Sequence, residues 1–161
     1  MDIYEYAMQM EKDGEAYYRD VVLKTKHKGT RSILTMLADA EAAHYHIFKQ
    51  LKENEKIPLK PSTNLAQVKN VFQQIAESKD FSLLKPSEID VYKTAQGIEQ
   101  KSIKLYEEQA SQAGEGHSRD VFRKIADEER KHYLILEKLI DFVSQPDQWL
   151  ENPEWYHLED Y

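Results

Sequence analysis

Residues 126–136 read ADEERKHYLIL, and this stretch decides the fold because it places charged residues on the apolar face of a helix. Ile125 and Leu136 follow the three- and four-residue spacing of an amphipathic helix. Glu129 and His132 fall on the same stripe. Because burying an unpaired carboxylate costs several kcal/mol, the interior must contain something that compensates these two side chains.

The same pattern occurs a second time in the chain. Residues 3–53 align with residues 91–141 without a gap, and twelve aligned positions are identical. The identical positions include Glu41 and His44, which align with the Glu-x-x-His pair described above. Composition alone predicts only a few identities, so we interpret the chain as a duplicated pair of helices.

This duplication predicts an all-α four-helix bundle in one domain, residues 1–144. The helix pairs are expected at about residues 1–53 and 88–143, with a crossover at about 54–87. A connection of this length lets the second and third long helices run parallel across the bundle. Only five glycines and five prolines occur among 161 residues, which also favours helix.

Several features outside the long helices are also predicted. Residues 65–76 are expected to form a short helix within the crossover. Glycines near Lys28-Gly29 and at residues 114–116 are expected to separate the two helices of each pair. The tail, residues 145–161, is expected to pack on the bundle or on a partner subunit.

Charge and composition exclude several classes of protein. The net charge of −7 argues against binding to nucleic acid or to an anionic membrane surface. No apolar run is long enough to span a bilayer and no basic, apolar leader begins the sequence, so a cytoplasmic protein is expected. The chain has no cysteine, which excludes disulfides, thiol catalysis and cysteine-bound iron.

Six polar residues on the predicted helix faces indicate a dinuclear metal site. The first helix of each pair carries one glutamate beside its apolar stripe, and the second helix carries Glu-x-x-His. The set consists of Glu11, Glu41, His44, Glu99, Glu129 and His132. A carboxylate-bridged pair of metals in a helical bundle uses this inventory. Two divalent cations would balance four carboxylates, and oxygen with imidazole ligands suits iron or manganese, with zinc also possible.

A third Glu-x-x-His pair, Glu154 and His157, is interpreted as a chance occurrence. It follows Pro153 in the tail and has no counterpart in the repeat. A single buried histidine or glutamate is more often structural than metal-binding. Here two superposable sets of glutamate and histidine occur, and no matching set of buried lysines or arginines accompanies them. Bound metal cations explain this pattern better.

The chain resembles the rubrerythrin branch of the ferritin-like superfamily, in its short form without a rubredoxin domain. The residues that carry the resemblance are Glu11 with Tyr18, Glu41 with His44, Glu99 with Tyr106, and Glu129 with His132. The resemblance implies a ferritin-like bundle that binds two irons. Glu11 and His44 would bind one iron, and Glu99 and His132 the other. Glu41 and Glu129 would bridge them.

The resemblance also implies an activity, the reduction of hydrogen peroxide, with dioxygen as a related substrate. Because the chain lacks cysteine, its electrons would come from a separate donor protein such as a rubredoxin. A homodimer is expected. An iron-binding, ferroxidase-type protein without catalytic turnover and a manganese-catalase-like disproportionation of peroxide stay open as alternatives.

One position departs from the family pattern. Ser102 and Ile103 stand where the family has an additional glutamate, one turn after the ligand of the third long helix. Glu15, one turn after Glu11, either replaces that glutamate from the other half or faces solvent.

Three further residues are expected to support the ligands. Tyr18 and Tyr106 follow their glutamates by seven residues, so each hydroxyl could bond a ligand carboxylate or simply lie in the core. Glu128 could orient His44 across the bundle. Because Ala40 occupies the equivalent position of the first half, the two metal positions should differ.

Overall fold

The computed structural model describes residues 2–151 and 153–160. These residues form helices and no β-strand. The helices are α1 (Ile3–Lys24), α2 (Lys28–Lys52), α3 (Leu65–Ser78), α4 (Glu88–Gln112), α5 (His117–Ser144), α6 (Pro146–Glu151) and a 3₁₀ helix (Glu154–Asp160). The predicted all-α fold is confirmed. None of the helices in these two ranges combines the length and the apolarity that crossing a bilayer requires.

The four long helices form two antiparallel pairs. Helix α1 packs mainly on α2, and α4 packs mainly on α5. Short turns at residues 25–27 and 113–116 join the helices of each pair. Gly114 and Gly116 have φ values of 71° and 128°, which glycine adopts readily, so this turn lies where the sequence predicts it.

Two apolar clusters fill the bundle, one towards each end. The Phe122 cluster lies near the start of α1 and the end of α2, and includes Ala7, Phe48 and Ile125. The Phe72 cluster lies at the opposite end, where α3 and the tail add to it. The residues between the two clusters form a buried polar layer, which contains the predicted ligands.

The crossover and the tail cover the same side of the bundle. Helix α3 lies on α2, and the 3₁₀ helix of the tail lies on α3. The ring of Trp149 lies 5.8 Å from that of Phe72 and 4.6 Å from that of Phe142. The ring of Trp155 lies 6.2 Å from that of Phe72. These aromatic contacts hold the crossover against α5.

The break between α1 and α2 is expected near Gly29 but falls at residues 25–27. Gly29 itself lies in the first turn of α2. His27 caps α2 by accepting a hydrogen bond from the Thr30 N–H at 3.2 Å. The glycine serves packing instead, since a Cβ at Gly29 would overlap the side chain of Ile75 on α3.

Replacing Gly29 with alanine should therefore destabilise the protein. Overpacking usually costs about 1–3 kcal/mol, and the ~1 kcal/mol that alanine gains over glycine in a helix offsets part of it, so we expect a net loss of up to about 2 kcal/mol. Gly97→Ala is the matched control, because a Cβ there meets no atom within 4 Å. This control should be as stable as wild type or slightly more stable. Urea unfolding of the three proteins measures both effects, and equal stability of the two variants would contradict the packing argument.

Candidate metal centre

The buried polar layer brings together all six residues predicted as ligands. Each is at most 3% exposed. They form two groups, within which one ligand atom from each residue lies within 4.8 Å of the others. The first group is Glu11, Glu41, His44 and Glu129, and the second is Glu41, Glu99, Glu129 and His132. Glu41 and Glu129 belong to both groups, which is the arrangement that two bridged metal positions require.

The helices place these residues by simple geometry. A glutamate and a histidine three residues apart lie on one helix face, so α2 and α5 each present both groups to the layer. Gly14 on α1 leaves room for Glu41, because a Cβ at Gly14 would lie 3.0 Å from Glu41 Oε2. A side chain at position 14 would therefore have to displace the Glu41 carboxylate.

Each histidine turns its Nδ1 atom towards the carboxylates. His44 Nδ1 lies 2.7 Å from Glu129 Oε1 and 3.6 Å from Glu11 Oε2. His132 Nδ1 lies 3.0 Å from Glu41 Oε1 and 3.4 Å from Glu99 Oε1. Each ring therefore faces the glutamate from the first helix of its own helix pair. It also faces the Glu-x-x-His glutamate of the other helix pair.

The two tyrosines donate hydrogen bonds across the repeat. The Tyr18 hydroxyl donates to Glu99 Oε1 at 2.6 Å, and the Tyr106 hydroxyl donates to Glu11 Oε1 at 2.8 Å. Burial, together with the charges of these carboxylates, raises the pKa of both hydroxyls well above the ordinary value. Both tyrosines therefore stay protonated and keep their function as donors at any working pH.

The four carboxyl groups differ in pKa. Burial raises the pKa of Glu41 and Glu129, and the charges of the neighbouring glutamates raise it further, well above the usual range. Burial also acts on Glu11 and Glu99, but the adjacent carboxyl group of Glu41 or Glu129, the charge of the nearby histidine and the tyrosine hydroxyl that donates to each carboxylate together outweigh it. The pKa of Glu11 is lowered, and that of Glu99 falls to about 2. The pKa values of the four carboxyl groups therefore diverge, so that Glu41 and Glu129 favour the protonated form and Glu11 and Glu99 the ionised form.

Many polar atoms of this layer have no hydrogen-bond partner among the residues that the structure describes. They are Glu11 Oε2, Glu99 Oε2, both carboxylate oxygens of Glu129 and both ring nitrogens of His44. The short approach of His44 Nδ1 to Glu129 Oε1 does not have hydrogen-bond geometry, since both atoms remain unpartnered. Buried polar atoms are normally satisfied. Carboxylate and imidazole atoms crowded into one small space therefore fit a pair of divalent cations.

Comparison with known proteins identifies the family. The rubrerythrin family model matches residues 2–140 of the 161 residues. The chain belongs to the rubrerythrin family. The resemblance seen in the sequence is confirmed, and the bundle is the ferritin-like fold of this family of di-iron carboxylate proteins. No curated protein and no solved structure matched the chain.

Ser102 stands at the position where the resemblance to the family predicts an additional glutamate, and it is buried on α4. Glu15 belongs to neither of the two groups that could hold a metal ion. Its carboxylate pairs at 2.9 Å with Arg19, which also pairs at 2.8 Å with Asp39. Glu15 therefore belongs to an ion-pair network on the partly exposed face of α1 and α2.

The third Glu-x-x-His pair lies in the tail, away from the polar layer. Glu154 pairs with Lys138 at 3.1 Å, and the exposed His157 lies 3.2 Å from the Asp160 carboxylate. Neither residue belongs to the two groups that could hold a metal.

Two residues from the crossover reach the layer, and the sequence carries no periodic signal that would reveal them. The Thr63 hydroxyl lies 2.7 Å from His132 Nε2. The backbone N–H of Ser62 donates to Glu128 Oε1 at 3.3 Å. Burial raises the pKa of Glu128, but the nearby Thr63 hydroxyl and the His44 charge outweigh it and lower the pKa. Glu128 Oε2 and His44 Nε2 both lack a hydrogen-bond partner, so the hydrogen bond expected between them is not formed.

Proposed function

We propose that this rubrerythrin reduces hydrogen peroxide to water at a di-iron centre. The observation that carries the proposal is the sharing of Glu41 and Glu129 by the two ligand groups, which would hold two cations side by side. Iron is favoured over zinc because the reaction is a reduction and zinc has no redox chemistry. The bound irons would supply the two electrons that convert one peroxide and two protons into two waters.

The residues of the chain prepare this chemistry in three ways. Tyr18 and Tyr106 fix Glu99 and Glu11, because each hydroxyl holds one oxygen of the carboxylate and leaves the other free for a cation. The apolar clusters above and below the layer restrict water, which strengthens electrostatic interactions inside it. Because the pKa values of Glu41 and Glu129 are raised, protons held by these carboxyl groups would have to leave when cations bind, since metals bind the ionised carboxylate.

The electrons are proposed to come from a separate donor protein. The 161 residues contain no cysteine, so they offer no ligands for the cysteine-bound iron of a rubredoxin domain. A rubredoxin is the kind of donor we propose.

A second candidate function is iron handling without turnover. The observation that favours it is the buried Ser102, which provides no carboxylate at the position of the family's additional glutamate. In this case the protein would bind and oxidise Fe(II) once, without repeated reduction.

Peroxide consumption distinguishes these functions. With Fe(II) loaded and a chemical reductant present, peroxide should disappear over many turnovers. His132→Ala should slow this reaction about 10–100-fold or more, because removing even a residue that supports a ligand costs that much. The exposed His157→Ala is the control and should react like wild type. Consumption that stops after one oxidation of the bound iron would favour iron handling. Oxygen release without a reductant would favour disproportionation.

A further inference from the structure

The crossover between the two helix pairs contributes a side chain to the metal centre. Thr63 is 5% exposed, and its hydroxyl lies 2.7 Å from Nε2 of His132. The two residues are separated by 69 positions, so the contact exists only because the crossover folds against α5.

The orientation of the imidazole decides what this contact does. Nδ1 of His132 faces Glu41, Glu99 and Glu129 at 3.0, 3.4 and 3.8 Å, so this nitrogen lies on the side of the ligands. A metal ligand needs a free lone pair on that nitrogen, which places the ring proton on Nε2. The Nε2–H then donates to the Thr63 hydroxyl, which fixes both the tautomer and the ring orientation.

Thr63 is itself held in place from both sides. The preceding backbone N–H, that of Ser62, donates to the buried Glu128 on α5. The following residue, Asn64, caps α3 by accepting a hydrogen bond from the Gln67 N–H at 3.0 Å. A hydroxyl on such an anchored segment can hold an imidazole without much loss of side-chain entropy.

The other histidine has no equivalent support. His44 is as buried as His132, yet its Nε2 has no hydrogen-bond partner. Glu128, the carboxylate expected from the sequence to orient His44, also has an unpartnered oxygen. The two histidines therefore differ in how firmly the protein holds them, although their positions in the repeat are equivalent.

We propose that Thr63 is a positioning residue for His132 and makes the Glu99/His132 position the tighter of the two metal positions. This inference rests on the proposed metal centre. It predicts two different affinities in wild type, of which Thr63 controls only one.

Titration with Co(II) alone tests the inference without requiring enzymatic activity. Wild type should bind two equivalents with distinct affinities. Thr63→Val keeps the shape of the side chain but lacks the hydroxyl. This substitution should lower the affinity for the more tightly bound Co(II) ion about 10–100-fold. The weaker equivalent should be unchanged. Thr63→Ser should restore the affinity, and Ser62→Ala should behave like wild type because Ser62 acts through its backbone N–H.

Each result bears on a specific claim. No binding by wild type would refute the metal centre itself. Two equal affinities in wild type, unchanged affinities in Thr63→Val, or equal weakening of both equivalents would refute the role of Thr63. If Thr63→Val does not fold, the nitrogen NMR spectrum of zinc-loaded wild type decides, since the inference requires a protonated Nε2 on His132 and fails without it.

Discussion

Glu129→Ala should bind almost no metal, whereas wild type should bind up to two ions per chain. The reason is that Glu129 belongs to both ligand groups, so its loss removes one anionic ligand from each cation. Glu41→Ala should have the same effect for the same reason. Glu11→Ala should lose mainly one ion, because Glu11 belongs to one group alone. Elemental analysis of gel-filtered protein, reconstituted with Fe(II) under anaerobic conditions, measures these contents.

Glu154→Ala is the control for this experiment, because it removes the glutamate of the third Glu-x-x-His pair. This exposed carboxylate pairs with Lys138 and should not affect the metal content. If Glu154→Ala lost as much metal as Glu129→Ala, or if Glu129→Ala kept both ions, the assignment of the ligands would be wrong.

The metal-free form of Glu129→Gln should melt at or above metal-free wild type. Glutamine has nearly the shape of glutamate and is neutral without binding a proton, so the substitution removes the free-energy cost that burial and the charges of Glu11 and Glu99 impose on Glu129 through its raised pKa. For a chain of this size, each kcal/mol added to the free energy of unfolding raises the melting temperature by about 2–4 °C. Thermal unfolding followed by circular dichroism measures the difference.

The pH dependence of this difference has a definite sign. A carboxyl group whose pKa is raised by folding stabilises the folded state at low pH and loses that contribution as pH rises through the raised pKa. Glu41 and Glu129 are of this kind. Metal-free wild type should therefore lose stability as pH rises above about 4.3, the ordinary glutamate value. Glu129→Gln should show a flatter profile, and its advantage should grow with pH.

Glu99 affects the pH dependence of stability in the opposite direction, and its effect appears at acid pH. Its pKa is lowered to about 2, so its contribution to stability is complete above the ordinary glutamate pKa. That contribution is lost only as pH falls towards 2. The loss of stability above the ordinary pKa therefore comes from Glu41 and Glu129 and not from Glu99.

Added metal should reverse the order of thermal stability of wild type and Glu129→Gln. Cations that bind only the folded state at 100 to 1,000 times their dissociation constant stabilise it by about 2.7–4.1 kcal/mol. Wild type should gain this stabilisation from Mn(II), and Glu129→Gln should gain much less. The exposed Glu108→Gln is the control and should follow wild type in both conditions. A destabilised metal-free Glu129→Gln with a full response to Mn(II) would show that Glu129 is not a ligand.

The long helices and the polar layer could be predicted because one rule governs both. Helical periodicity assigns each residue to a face, and charged residues on an apolar face must meet something that compensates them. The gap-free repeat then places Glu41 with His44 and Glu129 with His132 at equivalent heights in the bundle. The structure brings these four residues together with Glu11 and Glu99.

Contacts between distant segments could not be predicted in the same way. The periodicity shows that Tyr18 can reach the layer, but not that its hydroxyl crosses to Glu99 rather than bonding within its own half. The crossover has no periodic pattern around Thr63, so nothing in the sequence connects it with His132. Gly29 shows a related difficulty, since a glycine required for packing has the same sequence signal as one that ends a helix.

The hydrogen bonds across the repeat have a consequence for how such a chain could have arisen. The Tyr18 hydroxyl donates to Glu99, the Tyr106 hydroxyl donates to Glu11, and each histidine faces the Glu-x-x-His glutamate of the opposite half. One helical hairpin alone therefore has an incomplete site, but two identical hairpins related by a twofold axis would complete each other. Such a homodimer, joined into one chain, would have the arrangement of contacts seen here. Thr63 lies in the segment that joins the hairpins and contacts His132 alone, an asymmetry that two identical hairpins related by a twofold axis could not have.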